Sequence, residues 1–164
     1  MSTGEPGGEG LRFAADRMLG RLARWLRVLG HDVAYGRHLA GRSLAACARR
    51  ERRLLLTRDT RLVRDPDLPP HLFLTSDDFR EQLRQVAAAV PLAAGAPFGR
   101  CLDCNRRLEA IAKEDARERV PAYVFATTAN FRRCGRCGRL YWPATHHARM
   151  RRELAELGLV GETS

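Results

Sequence analysis

The stretch "LRFAADRMLGRLARWLRVLG" (residues 11–30) changes its hydrophobic period at a single acid, Asp16. Before Asp16 the chain has the short apolar run of a buried strand, and after it apolar residues recur at helical spacing as far as Gly30. An aspartate at such a junction is a common helix N-cap. It is also the place where α/β proteins put chemistry, at the carboxyl end of a strand. The choice between these roles depends on whether the arrangement recurs along the chain.

The alternation of strand and helix patterns continues to residue 90. It predicts strands at 31–35, 53–57 and 71–75 and helices at 43–51 and 76–90. Ser76 is the predicted N-cap of the last of these helices. Strands that alternate with helices are typical of a parallel sheet covered on both faces, so the predicted fold class is α/β. The next segment, "PLAAGAPFG" (91–99), contains two prolines and two glycines and is predicted to be a linker.

Two pairs of cysteines follow the linker, Cys101 with Cys104 in "CLDC" and Cys134 with Cys137 in "CGRCG". Two thiolates three residues apart can hold one ion from a tight turn, and two such turns complete a closed, structural zinc site. Two disulfides are the alternative, which a reducing compartment disfavours. A rubredoxin-like iron site has similar spacing, but Asn105 stands where a rubredoxin has glycine.

Carboxylates follow two further strands of the predicted sheet. Asp59 comes almost directly after "RLLLT", and Asp77 and Asp78 come after "HLFLT" and one more residue. Because parallel strands bring their carboxyl ends to one edge, we expect these acids to converge with Asp16. Mg²⁺ and Mn²⁺ prefer oxygen ligands and bind through a few carboxylates with water and phosphate oxygens. Each acid also has a local alternative, as a helix cap, a turn residue or a favourable charge at a helix N-terminus.

The chain is strongly basic, with 29 lysines and arginines against 19 acids and a net charge of +10. This balance favours a polyanionic partner, nucleic acid before an anionic membrane, although arginine-rich usage is also typical of GC-rich genomes. No apolar run reaches the length of about 18 residues that a membrane span needs, and the first residues lack a signal-peptide pattern. We therefore expect a soluble cytoplasmic protein with reduced thiols and a flexible leader at residues 1–9.

Several arginines lie near the acids or around the second cysteine turn, where they could contact the phosphate backbone of a nucleic acid. These candidates are Arg17, Arg21, Arg24, Arg58, Arg136 and Arg139. The first three continue to Arg27 at helical spacing, and a solvated helix face is the alternative for this stripe.

The remaining conspicuous side chains are expected to be structural. Trp25 and Cys47 fall on apolar helix faces and are predicted to lie in the core. For Tyr141 and Trp142, packing is favoured over base stacking. A last helix is predicted from His146 to Leu157, and Thr145 and Gly158 are its predicted cap and stop.

The stretches "FAADRMLGRLARWLRVLGHD", "LLLTRDTRL", "SDD", "CLDC", "VPAYV" and "CGRCGRLYWPATH", in this order, resemble a known RNase domain family. It is named after the C-terminal part of the mutator protein Mut-seven. The resemblance covers residues 11–155 and implies a PIN-like domain (10–90), a linker (91–97) and a zinc ribbon with a terminal helix (98–164). PIN-like domains often pair, so a homodimer is a further expectation.

The resemblance also implies a metal-dependent ribonuclease that cuts RNA by attack of water on phosphorus. The implied ligands of Mg²⁺ or Mn²⁺ are Asp16, Asp59 and Asp77, with Asp78 assisting. His146 matches the histidine of the family, for which a hydrogen-bonded structural role is favoured over a catalytic one.

One departure from the family pattern concerns the acid expected just ahead of the second helix. This chain has "AGRSLAA" there, and the residues are Gly41, Arg42 and Ser43. Arg61 likewise stands where a second acid is often found. Asp32 lies at the wrong end of its strand and Glu51 at the far end of the helix, so neither is expected to substitute. The alternative to a nuclease is therefore an RNA- or ribosome-binding module of the same fold, and a rubredoxin-like electron carrier is a third class.

Overall fold

The computed structural model describes residues 10–92 and 96–161. It divides the chain into two compact units, with the boundary between Phe98 and Gly99. We refer to these as the N-terminal unit and the C-terminal unit. The predicted leader at residues 1–9 and the middle of the predicted linker lie outside the described residues.

The N-terminal unit is an α/β fold, as the alternating patterns predict. Its strands are β1 (Arg12–Ala15), β2 (Asp32–Ala34), β3 (Leu54–Thr57) and β4 (His71–Phe73), and its helices are α1 (Gly20–Val28), α2 (Gly41–Glu51) and α3 (Phe79–Ala89). The strands form one parallel sheet in the order β2-β1-β3-β4. The chain moves from β1 out to β2 and then back past β1 to β3, so right-handed connections place α1 and α2 on opposite faces of the sheet.

Each helix buries an apolar face against the sheet or a neighbouring helix. Trp25 of α1 stacks on Phe79 of α3, with ring centroids 5.4 Å apart, and its place in the core is confirmed. Cys47 of α2 is buried with Ala14 and Leu55, neighbours on β1 and β3. Full burial of such apolar side chains is the main stabilising contribution to the unit.

The structure corrects three predictions about helix ends and faces. Asp78, not Ser76, is the N-cap of α3, because its carboxylate accepts the N–H groups of Arg80 and Glu81 while the Ser76 hydroxyl accepts the N–H of Asp78. Thr145 is not the cap of the last helix but its first residue, after Ala144. Arg27 does not belong to a solvated stripe, because it is buried and donates two hydrogen bonds to the carbonyl of Val33.

A buried histidine joins the two ends of the N-terminal unit. His31 is fully buried, and its Nδ1 accepts a hydrogen bond from the N–H of Leu11 at 3.1 Å. The ring is therefore the tautomer with hydrogen on Nε2, which donates to the carbonyl of Leu92 at 2.6 Å. Gly30 precedes it with a φ of +92°, and a Cβ there would lie 2.2 Å from the carbonyl oxygen of Ala96. Only glycine fits at this crossing.

A compact charge cluster lies at the amino edge of the sheet. Arg53, only 8 % exposed, donates to Asp32 Oδ1 at 2.7 Å and to Glu51 Oε2 at 2.6 Å. The hydrogen bond from Arg53 holds the pKa of Glu51 below its usual range. Both acids are thus engaged at the edge opposite to the carboxyl ends of the strands and cannot replace the missing ligand.

We expect Glu51→Gln to lower stability in a pH-dependent way. Because the fold depresses the pKa of Glu51, its carboxylate stabilises the fold above about pH 4.5, and this contribution fades as the pH falls through the depressed value. The loss near neutral pH should be about 1 kcal/mol or less, since the group is partly exposed. Urea unfolding of both proteins from pH 7 to pH 3.5 measures this, and a difference that grows on acidification would contradict it.

The C-terminal unit is built around a small antiparallel sheet. Its elements are β5 (Leu108–Ile111), α4 (Ala122–Thr127), β6 (Phe131–Cys134), β7 (Leu140–Tyr141) and α5 (Thr145–Glu156), with sheet order β5-β6-β7. Phe131 and Val124 form its core with Trp142, whose ring lies 6.2 Å from that of Phe131. In the described part of the chain, no helix is both long and apolar enough to cross a membrane.

Candidate active site and metal centre

The topology brings three predicted acidic segments to one edge of the parallel sheet. Strands β1, β3 and β4 are direct neighbours and run in the same direction. Asp16 follows β1 at once, Asp59 follows β3 by two residues, and Asp77 and Asp78 connect β4 to α3. We call this region the carboxyl edge.

Asp16 is the most enclosed of these acids. Its side chain is almost fully buried, at 3 % exposure. Oδ2 accepts a hydrogen bond from the hydroxyl of Thr57 at 2.9 Å, and Oδ1 caps the short 3₁₀ turn Arg17–Leu19 through the N–H of Met18. Asp16 therefore does act as a cap. Capping requires neither the burial of the carboxylate nor its second hydrogen bond, from the hydroxyl of Thr57.

Thr57 connects Asp16 to Asp59. The threonine is fully buried at the end of β3, and its oxygen accepts the N–H of Asp59 at 2.9 Å while its hydrogen goes to Asp16. Sequence reasoning missed this residue, although a hydroxyl that ends the apolar run "LLLT" was the available signal.

Asp59 and Asp78 each use one carboxylate oxygen locally. Asp59 Oδ1 accepts the N–H groups of Arg61 and Leu62, and Asp78 Oδ1 caps α3. In residues 10–92 and 96–161 the second oxygen of each accepts no hydrogen bond. Asp77 is exposed. Metal coordination through these remaining oxygens is compatible with the local roles.

The segment before α2 contributes no acid to the edge. The Ser43 hydroxyl bonds the backbone of Ala40 and the carbonyl of His38, so it secures the start of the helix. Arg42 is exposed. Among the described residues, the four cysteines are the one group of three or more candidate metal ligands with their ligand atoms gathered together. The aspartates share an edge but do not form such a group.

The cysteines lie in two matching turns. All four Sγ atoms lie within 4.8 Å of one another. In each turn the residue after the second cysteine has a left-handed conformation, Asn105 with φ of 65° and Gly138 with φ of 74°, and donates its N–H to the carbonyl of the first cysteine at 2.9 Å. Asparagine tolerates this conformation better than most residues, which explains how it replaces glycine.

The thiols have the chemistry of a metal-binding set. Burial raises the pKa of Cys101, but hydrogen bonds from the Tyr141 hydroxyl and from backbone N–H groups outweigh it and bring that pKa down to about 7. Burial and the adjacent thiols raise the pKa of Cys104 to about 12. Four thiolates cannot coexist here without a cation, and a tetrahedral ion such as zinc resolves the conflict. These residues therefore fit a closed structural metal site.

Two further contacts support this centre. The Tyr141 hydroxyl lies 3.2 Å from Cys101 Sγ and accepts the N–H of Leu102 at 3.1 Å. Arg139 of the second turn forms an ion pair with Asp103 of the first. Tyr141 is thus a structural residue of the ribbon, as favoured from the sequence, and Arg139 already has a protein partner.

The remaining candidate residues differ in exposure. Four of the arginines are exposed: Arg17, Arg21, Arg24 and Arg136. Arg58 is half-buried, and its Nε–H group donates to no acceptor among the described residues. His146 is exposed, and burial together with Arg151, His146 and Arg132 lowers the pKa of His147.

The comparison with protein families agrees with the motifs. The model of the Mut7-C RNAse domain matches residues 11–154 and so includes both units. No curated protein and no solved structure matches the chain. The resemblance found from the sequence is thereby confirmed, and the chain belongs to the Mut7-C RNAse domain family.

Proposed function

We propose that the protein is a divalent-metal-dependent ribonuclease that hydrolyses RNA phosphodiester bonds at the carboxyl edge. Asp16, Asp59 and Asp77 are the proposed ligands of Mg²⁺ or Mn²⁺, and Asp78 assists. The C-terminal unit, with its structural zinc, and the exposed arginines would contact the RNA. The predicted cytoplasmic location and the pairing of two copies remain predictions.

The observation that carries this proposal is the burial of Asp16 without a cation. A carboxylate removed from water normally needs a paired charge, because desolvation without one costs several kcal/mol. Asp16 forms no ion pair with any described residue and has only a hydroxyl and one long N–H contact. A divalent cation bound to the remaining lone pairs of Asp16 would compensate the buried charge, and groups in such environments cluster at functional sites.

The residues at the edge have separable roles in this chemistry. A bound Mg²⁺ or Mn²⁺ would supply a nucleophilic hydroxide and neutralise charge on the phosphate. Asp16 and Asp59 would hold the ion through their free lone pairs. Thr57 is a positioning residue, because its hydroxyl fixes the orientation of the Asp16 carboxylate and ties Asp59 to it.

We expect Asp16→Asn to lower the rate of Mn²⁺-dependent cleavage of end-labelled single-stranded RNA at least about 100-fold, since one charged ligand is lost. Asp67→Asn, which changes an exposed acid on the loop before β4, is the matched control and should cleave at the wild-type rate. Both are assayed with Mn²⁺ and with chelator. Equal cleavage by wild type and Asp16→Asn would remove the proposal.

A second candidate is an RNA-binding module without turnover. The absence of a carboxylate from Gly41 to Ser43, and the use of the Ser43 hydroxyl for the helix start, favour it. The same assay separates the two, because such a module binds RNA but shows no metal-dependent cleavage in either protein.

A further inference from the structure

Two arginines on different helices share one aromatic ring in the N-terminal unit. The guanidinium carbon of Arg21 lies 4.2 Å from the centroid of the Phe79 ring, and that of Arg80 lies 4.6 Å from it. Both side chains are exposed, whereas Phe79 is 3 % exposed. Each contact is a cation–π interaction of the kind that orients a guanidinium.

The fold places this group beside the acids. Arg21 is in the first turn of α1, which follows Asp16, and Phe79 and Arg80 begin α3, which follows Asp78. Both helices therefore start at the carboxyl edge. Trp25, one turn after Arg21, stacks on Phe79 with an interplanar angle of 15° and fixes the ring between the helices.

Both guanidinium carbons lie within 5 Å of the same centroid, so the two positive charges are held around one ring. Arg21 forms no hydrogen bond or ion pair with any described residue. A guanidinium that stacks through its face keeps its N–H donors at the rim, in a geometry suited to two oxygens of a phosphate. An anion that contacts both guanidinium groups would be attracted by two positive charges.

We propose that Arg21 and Arg80, held on Phe79, form a clamp for a backbone phosphate of RNA bound at the carboxyl edge. The choice of RNA as the ligand rests on the proposed function. We expect no stacking between an RNA base and Phe79 in this clamp, because the ring is buried and is covered by Trp25 and the guanidinium groups. Contact at this point is therefore independent of sequence.

The test measures RNA affinity apart from cleavage. Fluorescence anisotropy of labelled oligouridylate, without added Mg²⁺ or Mn²⁺, is recorded between about 50 and about 200 mM salt. We expect Arg21→Met and Arg80→Met each to weaken binding about tenfold, the effect of one lost charged hydrogen bond. The slope of log affinity against log salt should fall by about 0.7 for each lost phosphate contact. Arg21→Lys keeps the charge but not the planar donors and should give an intermediate loss.

Arg52→Asn is the matched control. It removes one exposed arginine at the other edge of the sheet, and its φ of +52° suits asparagine. This variant should bind almost as wild type. Thermal unfolding midpoints of all variants within about 2 °C of wild type would show that the fold is kept.

The other outcomes overturn the clamp. Wild-type affinity and slope in Arg21→Met and Arg80→Met would do so, as would an equal loss in Arg52→Asn or no RNA binding by the wild type. Failure of the clamp is distinct from failure of the nuclease. Metal-dependent cleavage that Asp16→Asn abolishes would stand without the clamp, and clamp-dependent binding without cleavage would leave an RNA-binding module.

Discussion

Replacement of Cys134 by serine will remove the metal and unfold the C-terminal unit, while the N-terminal unit keeps its fold. The core of the C-terminal unit is small, and Cys101 and Cys134 are themselves among its fully buried residues. A unit of this size needs a stabilising cross-link in addition to its hydrophobic core. Structural zinc contributes about 10–16 kcal/mol to such folds. Loss of one thiolate from a closed site opens the centre to water and weakens binding of the ion.

Two measurements check this expectation. Metal analysis of the purified proteins should find one zinc per chain in the wild type and none in Cys134→Ser. Fluorescence of Trp142, read in a Trp25→Phe background, should shift to the value of the chelator-treated protein. Cys47→Ser is the control, because Cys47 is a buried thiol of the other unit and should leave zinc in place. Full zinc occupancy or native Trp142 emission in Cys134→Ser would be the contrary result.

Replacement of Arg53 by methionine will destabilise the N-terminal unit by about 3–5 kcal/mol. The guanidinium satisfies Asp32, Glu51 and the carbonyl of Phe13 in a nearly buried position. Burial lowers the pKa of Arg53, but its hydrogen bonds to the two acids outweigh this and raise it. Without this guanidinium, Asp32 and Glu51 lose their buried cation and keep only more exposed arginine partners, such as Arg12 at 3.5 Å and 3.9 Å.

Urea unfolding at neutral pH measures the loss. Arg50→Met is the matched control, since Arg50 is an exposed partner of Glu51 and surface pairs contribute only about 0–1 kcal/mol. Adding Asp32→Asn and Glu51→Gln to Arg53→Met should recover part of the stability, because the two negative charges that lost their buried partner are gone. A loss below about 1 kcal/mol in Arg53→Met would show that water or other groups solvate the two acids adequately.

The sequence predicted the sheet, its helices and the four cysteines because these depend on local periodicity and short spacing. The strand and helix order follows from the change of period at points such as Asp16. The cysteine turns follow from pairs three residues apart. The acids could be assigned to one edge because a parallel sheet leaves no other arrangement of its strand ends.

What escaped prediction depends on contacts between distant residues. Arg27 has the same helical spacing as its exposed neighbours, and only the carbonyl of Val33 explains its burial. Ser76 and Asp78 are both good caps, and the hydrogen bond between them decides which of the two starts the helix. Thr57 and Phe79 acquire their roles only when β1 meets β3 and α1 meets α3.

The hydrogen bonds of His31 have a consequence for the order of assembly during synthesis. The imidazole binds Leu11 and Leu92, so the contact is completed only after nearly the whole N-terminal unit has been translated. The central strand likewise waits for β3 before both its sides are paired. Nascent chains shorter than this have an open sheet edge and need protection from aggregation. The hydrogen bond between His31 and Leu92 thus links completion of the N-terminal unit to the synthesis of its last residues.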